Sequence, residues 1–290
     1  MPDKLPPLRD VINAHGLFAK RAFGQHFLLD QNLTRRITRA AGDLNGAIVI
    51  EVGPGPGGLT RCILEAGAKQ VIAIEKDRRC IAALKDLKPV FLERLNVVEG
   101  DALKIDEMKL IPDPCAAPIK IVANLPYNIA TTLLFKWLEG EEWPPGIQSY
   151  TLLFQKEVAN RIVASPGTKA YGRVSVATGW RCDAVRHFDI KPEAFTPPPK
   201  VTSTLVTLTP KASPQSGFGP ADLKRVTAAA FGQRRKMLRS SLISLGVSTG
   251  NLLQDSQIDP TERADQISID DYCRLASVYC RLSRPMTQSP

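Results

Sequence analysis

Long apolar runs are missing from this chain. No stretch approaches 18 uninterrupted apolar residues, and the opening MPDKLPPLRD has no hydrophobic segment, so neither a membrane span nor a secretory signal is read from it. A cytoplasmic protein, or one of an equivalent matrix compartment, is expected. Cysteines are sparse and scattered, at positions 62, 80, 115, 182, 273 and 280. None forms a Cys-x-x-Cys pair or lies at ligand spacing from a His, which argues against a disulfide framework and against a zinc site. They read as reduced, mostly structural thiols, and no metal is expected. Aromatic residues are 6% of the chain, too few for a broad platform on which single-stranded bases stack. Acidic residues fall short of basic ones, 29 against 38, leaving a formal charge of +9. That balance favours a polyanionic partner through counterion release, either nucleic acid or an acidic membrane surface. Internal repeats and low-complexity tracts are also absent. No feature calls for an oligomer, so a monomer is expected.

What the chain does have is a rhythm. From residue 47 to about 155, β-branched runs alternate with helix-like segments: AIVIEV, LTRCILEAGA, QVIAIE, RRCIAALKDL, NVVEGD, then IKIVAN and SYTLLFQ. Alternation of this kind predicts βαβ units around a doubly wound parallel sheet, its near-continuously apolar strands covered on both faces. CDAVRHFDI and STLVTLT read as a hairpin at one sheet edge, joined by the proline-rich KPEAFTPPPKVT. PKASPQSGFGP, 210–220, reads as a linker. Beyond it, ADLKRVTAAAFGQRRKMLRSSLISL and SIDDYCRLASVYCRLS have helical periodicity, with Ser268 and Asp271 placed for a capping box. The expected layout is an extension over 1–19, an α/β domain over 20–209, the linker, and an all-helical domain over 221–290.

EVGPGPGGLT follows the first strand and opens a helix, so its glycines let a ligand approach the backbone at a helix N-terminus. Two templates fit. Gly53, Gly55 and Gly58 spell a dinucleotide fingerprint, whereas Gly53, Gly55 and Gly57 spell the Gly-x-Gly-x-Gly of methyltransferases that use S-adenosylmethionine. Glu75, with Lys76 after it, ends the second strand, where a carboxylate accepts hydrogen bonds from both ribose hydroxyls of either cofactor. Asp101 ends the third strand, placed either to take an adenine amino group or to cap a helix.

The next strand ends in Asn124, Leu125, Pro126 and Tyr127. An exocyclic amine on adenine is a poor nucleophile because its lone pair is delocalised into the ring. Two acceptors, the Asn124 side-chain oxygen and the Leu125 carbonyl, would draw such a nitrogen toward a tetrahedral arrangement. Pro126 fixes φ at the turn, and Tyr127 offers a ring on which the base stacks.

The chain resembles the small-subunit (16S) ribosomal RNA adenine N6,N6-dimethyltransferases, over nearly everything from Lys20 onward. KRAFGQHFLLD, EVGPGPGGLT, IEKD, EGDAL, NLPYNIAT, LLFQKEVANRI, SPGTKAYGRVSV, FTPPPKVTS and FGQRRKMLRSSL carry the resemblance. The last three set it apart from the related antibiotic-resistance methylases of large-subunit RNA. The resemblance implies a Rossmann-like class I methyltransferase with S-adenosylmethionine as methyl donor. Gln25, His26 and Leu28 would form a lip at the methionine end, Gly53 and Gly55 line the loop, Glu75 hold the ribose, and Asp101 with Ala102 the adenine, with Lys76 and Asn124 also contacting the cofactor. Asn124, Leu125, Pro126 and Tyr127 would hold the target base, with Phe195 on its other face. It also implies that two adjacent adenosines of the 3′-terminal hairpin loop of the RNA are each methylated twice. His26 stands where many relatives carry Asn, a change that a backbone contact survives and a side-chain amide contact does not.

Arg234, Arg235, Lys236 and Arg239 fall together at what reads as one helix start, and Lys20 and Arg21 lie beside the lip. Both groups are candidates for RNA phosphates. Two rivals to the enzymatic reading are a ribosome-assembly factor that acts mainly by binding, and a nicotinamide-dependent oxidoreductase built on the glycine loop.

Overall fold

The computed structural model describes residues 5–17 and 25–284. In chain order its elements are α1 (Leu8–Ala14), β1 (Phe27–Leu28), α2 (Gln31–Ala40), β2 (Ile48–Val52), α3 (Gly58–Glu65), β3 (Gln70–Glu75), α4 (Arg78–Lys85), α5 (Lys88–Phe91), β4 (Leu95–Glu99), β5 (Ile119–Ala123) and α6 (Tyr127–Leu138). Then come β6 (Ile147–Gln155), α7 (Lys156–Ile162), α8 (Arg173–Arg181), β7 (Cys182–Ile190), β8 (Phe195–Thr196), β9 (Ser203–Pro210), α9 (Pro220–Gly232), α10 (Leu238–Ser241), α11 (Thr249–Asp255) and α12 (Ile269–Ser283). No helix among the described residues is long and apolar enough to cross a membrane. All six cysteines are free thiols.

Seven strands form one sheet in the order β4-β3-β2-β5-β6-β9-β7. β4, β3, β2, β5 and β6 pair in parallel, and β9 joins β6 antiparallel. β2 is buried at every residue, as a strand covered on both faces must be. Ile37 and Ala41 of the α2 end, Leu59 and Ile63 of α3, and Leu84 and Leu87 around α4 pack with Val49, Val71, Val122 and Leu205 of the sheet. β1 and β8 form a separate antiparallel pair that sets Leu28 opposite Phe195.

The chain divides into two compact units along other lines than a break at 210–220. One comprises 1–134, 146–159 and 185–209; the other comprises 135–145, 160–184 and 210–290. Tyr171, Val176 and Trp180 explain the difference. Although they fall within the α/β stretch of the sequence, they pack with Leu223, Val226, Tyr272 and Ala276 in the helical core. The 210–220 stretch is also anchored: the indole N–H groups of Trp143 and Trp180 donate to the carbonyls of Lys211 (2.8 Å) and Gln215 (2.9 Å).

The long helix expected beyond residue 220 is interrupted. α9 stops at Gly232, the backbone turns out at Gln233, and Met237 makes an isolated bridge to Arg263 before α10 starts. In α12 the Ser268 side chain accepts from the Asp271 amide while Asp271 accepts from the Ser268 amide, the reciprocal cap read from the sequence.

Candidate active site

Strand order reverses between β2 and β5, the place where ligands gather in open α/β sheets. A cavity of about 260 Å³ opens there, over the carboxyl ends of the strands. Gln25, His26, Leu28, Gly53, Gly55, Glu75, Lys76, Asp101, Ala102, Asn124, Leu125, Pro126 and Tyr127 all line it. Phe195 does not.

The glycine loop is built by the Gly-x-Gly-x-Gly set. Gly53, Gly55 and Gly57 hold left-handed φ angles of +67°, +56° and +87°, and Gly58 does not. A Cβ on Gly55 would come 2.9 Å from the Phe27 ring, so the floor of the loop has room for backbone only. Gly58 is needed for another reason: a Cβ there would stand 2.9 Å from the Leu28 carbonyl oxygen.

Glu75 is 7% exposed and already well bonded. One oxygen accepts from the Lys76 and Asp77 amides at 2.7 and 2.8 Å, the other from the Gly55 amide at 3.1 Å. A carboxylate offers about four acceptor positions, so one remains. Burial pushes the Glu75 pKa up, and the three amides partly oppose it.

Behind it lies Glu51, fully enclosed, its carboxyl accepting from the Thr60 hydroxyl at 2.6 Å. Burial above all lifts its pKa to about 8, with the Glu75 charge adding to the rise. Sequence reasoning missed it, since an acidic residue inside an apolar strand has no pattern of its own.

Asp101 precedes a turn rather than a helix. One oxygen accepts from the Leu103 amide at 3.1 Å, the other from the Lys76 ammonium at 3.0 Å, and the Lys76 contact is the main cause of its lowered pKa. It thus stands at the cavity as a charged acceptor.

At the end of β5, the Asn124 side-chain nitrogen donates to the His26 carbonyl at 2.9 Å. This bond engages one N–H of the amide nitrogen and so orients the group, leaving the oxygen as the end that accepts. Leu125 is 2% exposed and pins the turn. Pro126 lies so close to Gly53 that a Cβ there would come within 3.2 Å of it, which couples the turn to the glycine loop. The Tyr127 hydroxyl bonds to the Ser203 hydroxyl at the start of β9. Burial raises its pKa, and Ser203 pulls it back only in part.

The His26 ring is held by a 2.8 Å bond to the Pro197 carbonyl and lies 5.3 Å from Tyr127, tilted by 31°. Phe195 meets its edge at 6.5 Å. Phe195, expected on the other face of the base, is not brought to the cavity. Pairing of β8 with β1 turns its ring into the core, 2% exposed, so His26 rather than Phe195 stands against Tyr127. Ser203 was also missed as a site residue, although it closes the FTPPPKVTS stretch.

The basic residues divide. Arg234 is bound within the helical unit, to Asp265 at 3.2 Å and to the Lys169 and Thr168 carbonyls at 2.9 and 3.1 Å. These bonds tie Arg234 into the helical unit and leave its side chain partly exposed. Arg235, Lys236 and Arg239 are exposed, the first two on the connection after α9 and the third on α10. Lys20 and Arg21 lie outside the described residues.

The ribosomal RNA adenine dimethylase family model matches residues 17–280. A ribosomal RNA small subunit methyltransferase A of Xanthobacter autotrophicus is 56% identical over 280 residues, covering 97% of this chain and 96% of its own. One of the same name from Sinorhizobium medicae is 58% identical over 275 residues, 95% of this chain and 98% of its own. Among solved structures, a dimethyladenosine transferase from Plasmodium falciparum matches with a TM-score of 0.72 at 26% identity, over 86% of this chain and 96% of that one.

Proposed function

The chain belongs to the ribosomal RNA adenine dimethylase family, and from that membership we propose that it methylates N6 of two adjacent adenosines in the 3′-terminal hairpin loop of small-subunit ribosomal RNA, each twice. It is an S-adenosylmethionine-dependent rRNA adenine dimethyltransferase, and the nicotinamide reading of the glycine loop falls away.

The cavity suits this cofactor. Its floor admits backbone only, at Gly55, and carboxylates stand at two successive strand ends, Glu75 and Asp101. Glu75 would bond the ribose through its remaining acceptor position, Asp101 and Ala102 the adenine, and Gln25, His26 and Leu28 the methionine end. Bound there, S-adenosylmethionine supplies an electrophilic methyl group on a sulfonium, an excellent leaving group.

The observation that carries the reading is the Asn124 bond to the His26 carbonyl. Because that bond assigns the two ends of the amide, the Asn124 oxygen and the Leu125 carbonyl become the two acceptors for the hydrogens of the target amine. Accepting both draws the nitrogen toward a tetrahedral arrangement, and stacking on Tyr127 holds the ring in place, worth ~1–3 kcal/mol. No general base is needed, because the ammonium formed is strongly acidic. Arg235, Lys236 and Arg239 are the phosphate contacts proposed in the helical unit. The protein works as a cytoplasmic monomer on the small subunit or its precursor.

Mass spectrometry of small-subunit rRNA from cells with and without the protein tests the product, with dimethyladenosine lost in its absence. Asn124→Ala should slow methylation in vitro by on the order of 10²–10³-fold, the size of losing one preorganised hydrogen-bonding group. Retention of more than half the parent rate would remove Asn124 from its role.

A further inference from the structure

Asp77 lines the cavity beside Glu75 and is 6% exposed, and its carboxylate has a set of partners of its own. Its backbone amide donates to Glu75 at 2.8 Å. Its side chain caps α4, one oxygen accepting from the Arg79 amide at 3.1 Å. A cap needs no more than this. The carboxylate nevertheless also takes the guanidinium fork of Arg79, at 3.1 Å from Nε and 2.6 Å from Nη2, and the side-chain nitrogen of Gln25 at 3.3 Å. The remaining terminal nitrogen of Arg79 donates to the Gly16 carbonyl at 3.2 Å. These contacts connect two places on the N-terminal segment, Gly16 and Gln25, to the loop that orients the ribose carboxylate.

We propose that Asp77 is a positioning residue for the cofactor, which through Arg79 and Gln25 fixes the lip and Glu75 as one rigid piece. The two-pronged pairing matters because a planar fork holds direction as well as distance, which a lone ammonium does not. Charge supports the geometry: the Arg79 hydrogen bond is the main reason the Asp77 pKa is lowered. Asp77 acts without touching the reacting atoms.

The inference rests on S-adenosylmethionine occupying the cavity, and the test keeps the two apart. Calorimetry on the full-length protein with S-adenosylhomocysteine measures affinity in the parent, Asp77→Ser, Arg79→Ala and the double variant. Serine keeps the cap of α4 and drops both the fork and Gln25. Each single variant should lose about tenfold in affinity, and the double variant no more than the weaker single, since contacting groups on one path are not additive. Melting temperature of Asp77→Ser should stay close to the parent's, and KM for RNA at saturating cofactor should not move. Parent-like affinity in Asp77→Ser would overturn the proposal, as would fully additive losses or losses that follow the melting temperature. A parent that fails to bind S-adenosylhomocysteine would instead remove the cofactor assignment.

Discussion

Single residues set the chemistry of this site through what already occupies their hydrogen-bonding positions. Tyr127 orients a base only if its own ring is fixed, and Ser203 fixes it from the far strand. Ser203→Ala should lower kcat several-fold while leaving affinity for S-adenosylhomocysteine within twofold of the parent, as steady-state kinetics and calorimetry would report. Glu51 offers a different test. With an ordinary pKa of 4.5 unfolded and about 8 folded, it keeps its proton in the native state where the unfolded chain has released it. Stability from this group is fully present below about pH 4.5 and is lost as pH rises toward about 8, at roughly 1.4 kcal/mol per pH unit. Glu51→Gln should flatten that slope in denaturant titrations of the cofactor-free protein. An unchanged slope would mean that Glu51 is ionised in the fold.

At the scale of elements, the glycine loop and the turn after β5 behave as one object, because Pro126 lies over Gly53 and Phe27 over Gly55. Gly55→Ala combines a left-handed φ, costing about 1–2 kcal/mol for a residue with a Cβ, with a 2.9 Å clash against the Phe27 ring. It should lower the denaturation midpoint and weaken cofactor binding together. The break between α9 and α10 has the opposite effect on exposure. It leaves Arg235 and Lys236 open while Arg234 is taken up by Asp265. Reversing Arg235, Lys236 and Arg239 to Glu should reduce RNA affinity and the steepness of its salt dependence, by about 0.7 in slope for each phosphate of single-stranded RNA that is no longer neutralised. Arg234→Ala should act on stability instead, visible as a lower melting temperature.

The whole molecule shows why a linear division of the chain misleads. Tyr171, Val176 and Trp180 precede the sheet's last strands in sequence, but the helical core buries them. A fragment ending at residue 209 would expose these side chains, and it should aggregate or show loosened tertiary structure by near-ultraviolet circular dichroism. A soluble, cooperatively melting fragment would restore the division at 210–220. The alternation of strands and helices, the glycine loop and the acids at strand ends were all legible, because parallel strands and helix caps leave local patterns of composition. The interruption of the helix at 233–237 was not read from the sequence; there the chain leaves helical geometry and Met237 bridges to Arg263, far along the chain.

The sequence by itself determined which chemical groups end successive strands: glycines after β2, Glu75 at the end of β3, Asp101 beyond β4 and Asn124 after β5. In a doubly wound sheet those ends share one edge, so their meeting follows from topology alone. Tertiary structure decided which acceptors remain for a ligand. Backbone amides hold three positions of Glu75, the carbonyl of His26 assigns the ends of Asn124, and the β1 and β8 pair turns Phe195 away. These outcomes depend on contacts between residues many positions apart, such as the 98 that separate His26 from Asn124. No periodicity in a linear chain encodes which lone pair such a contact will use.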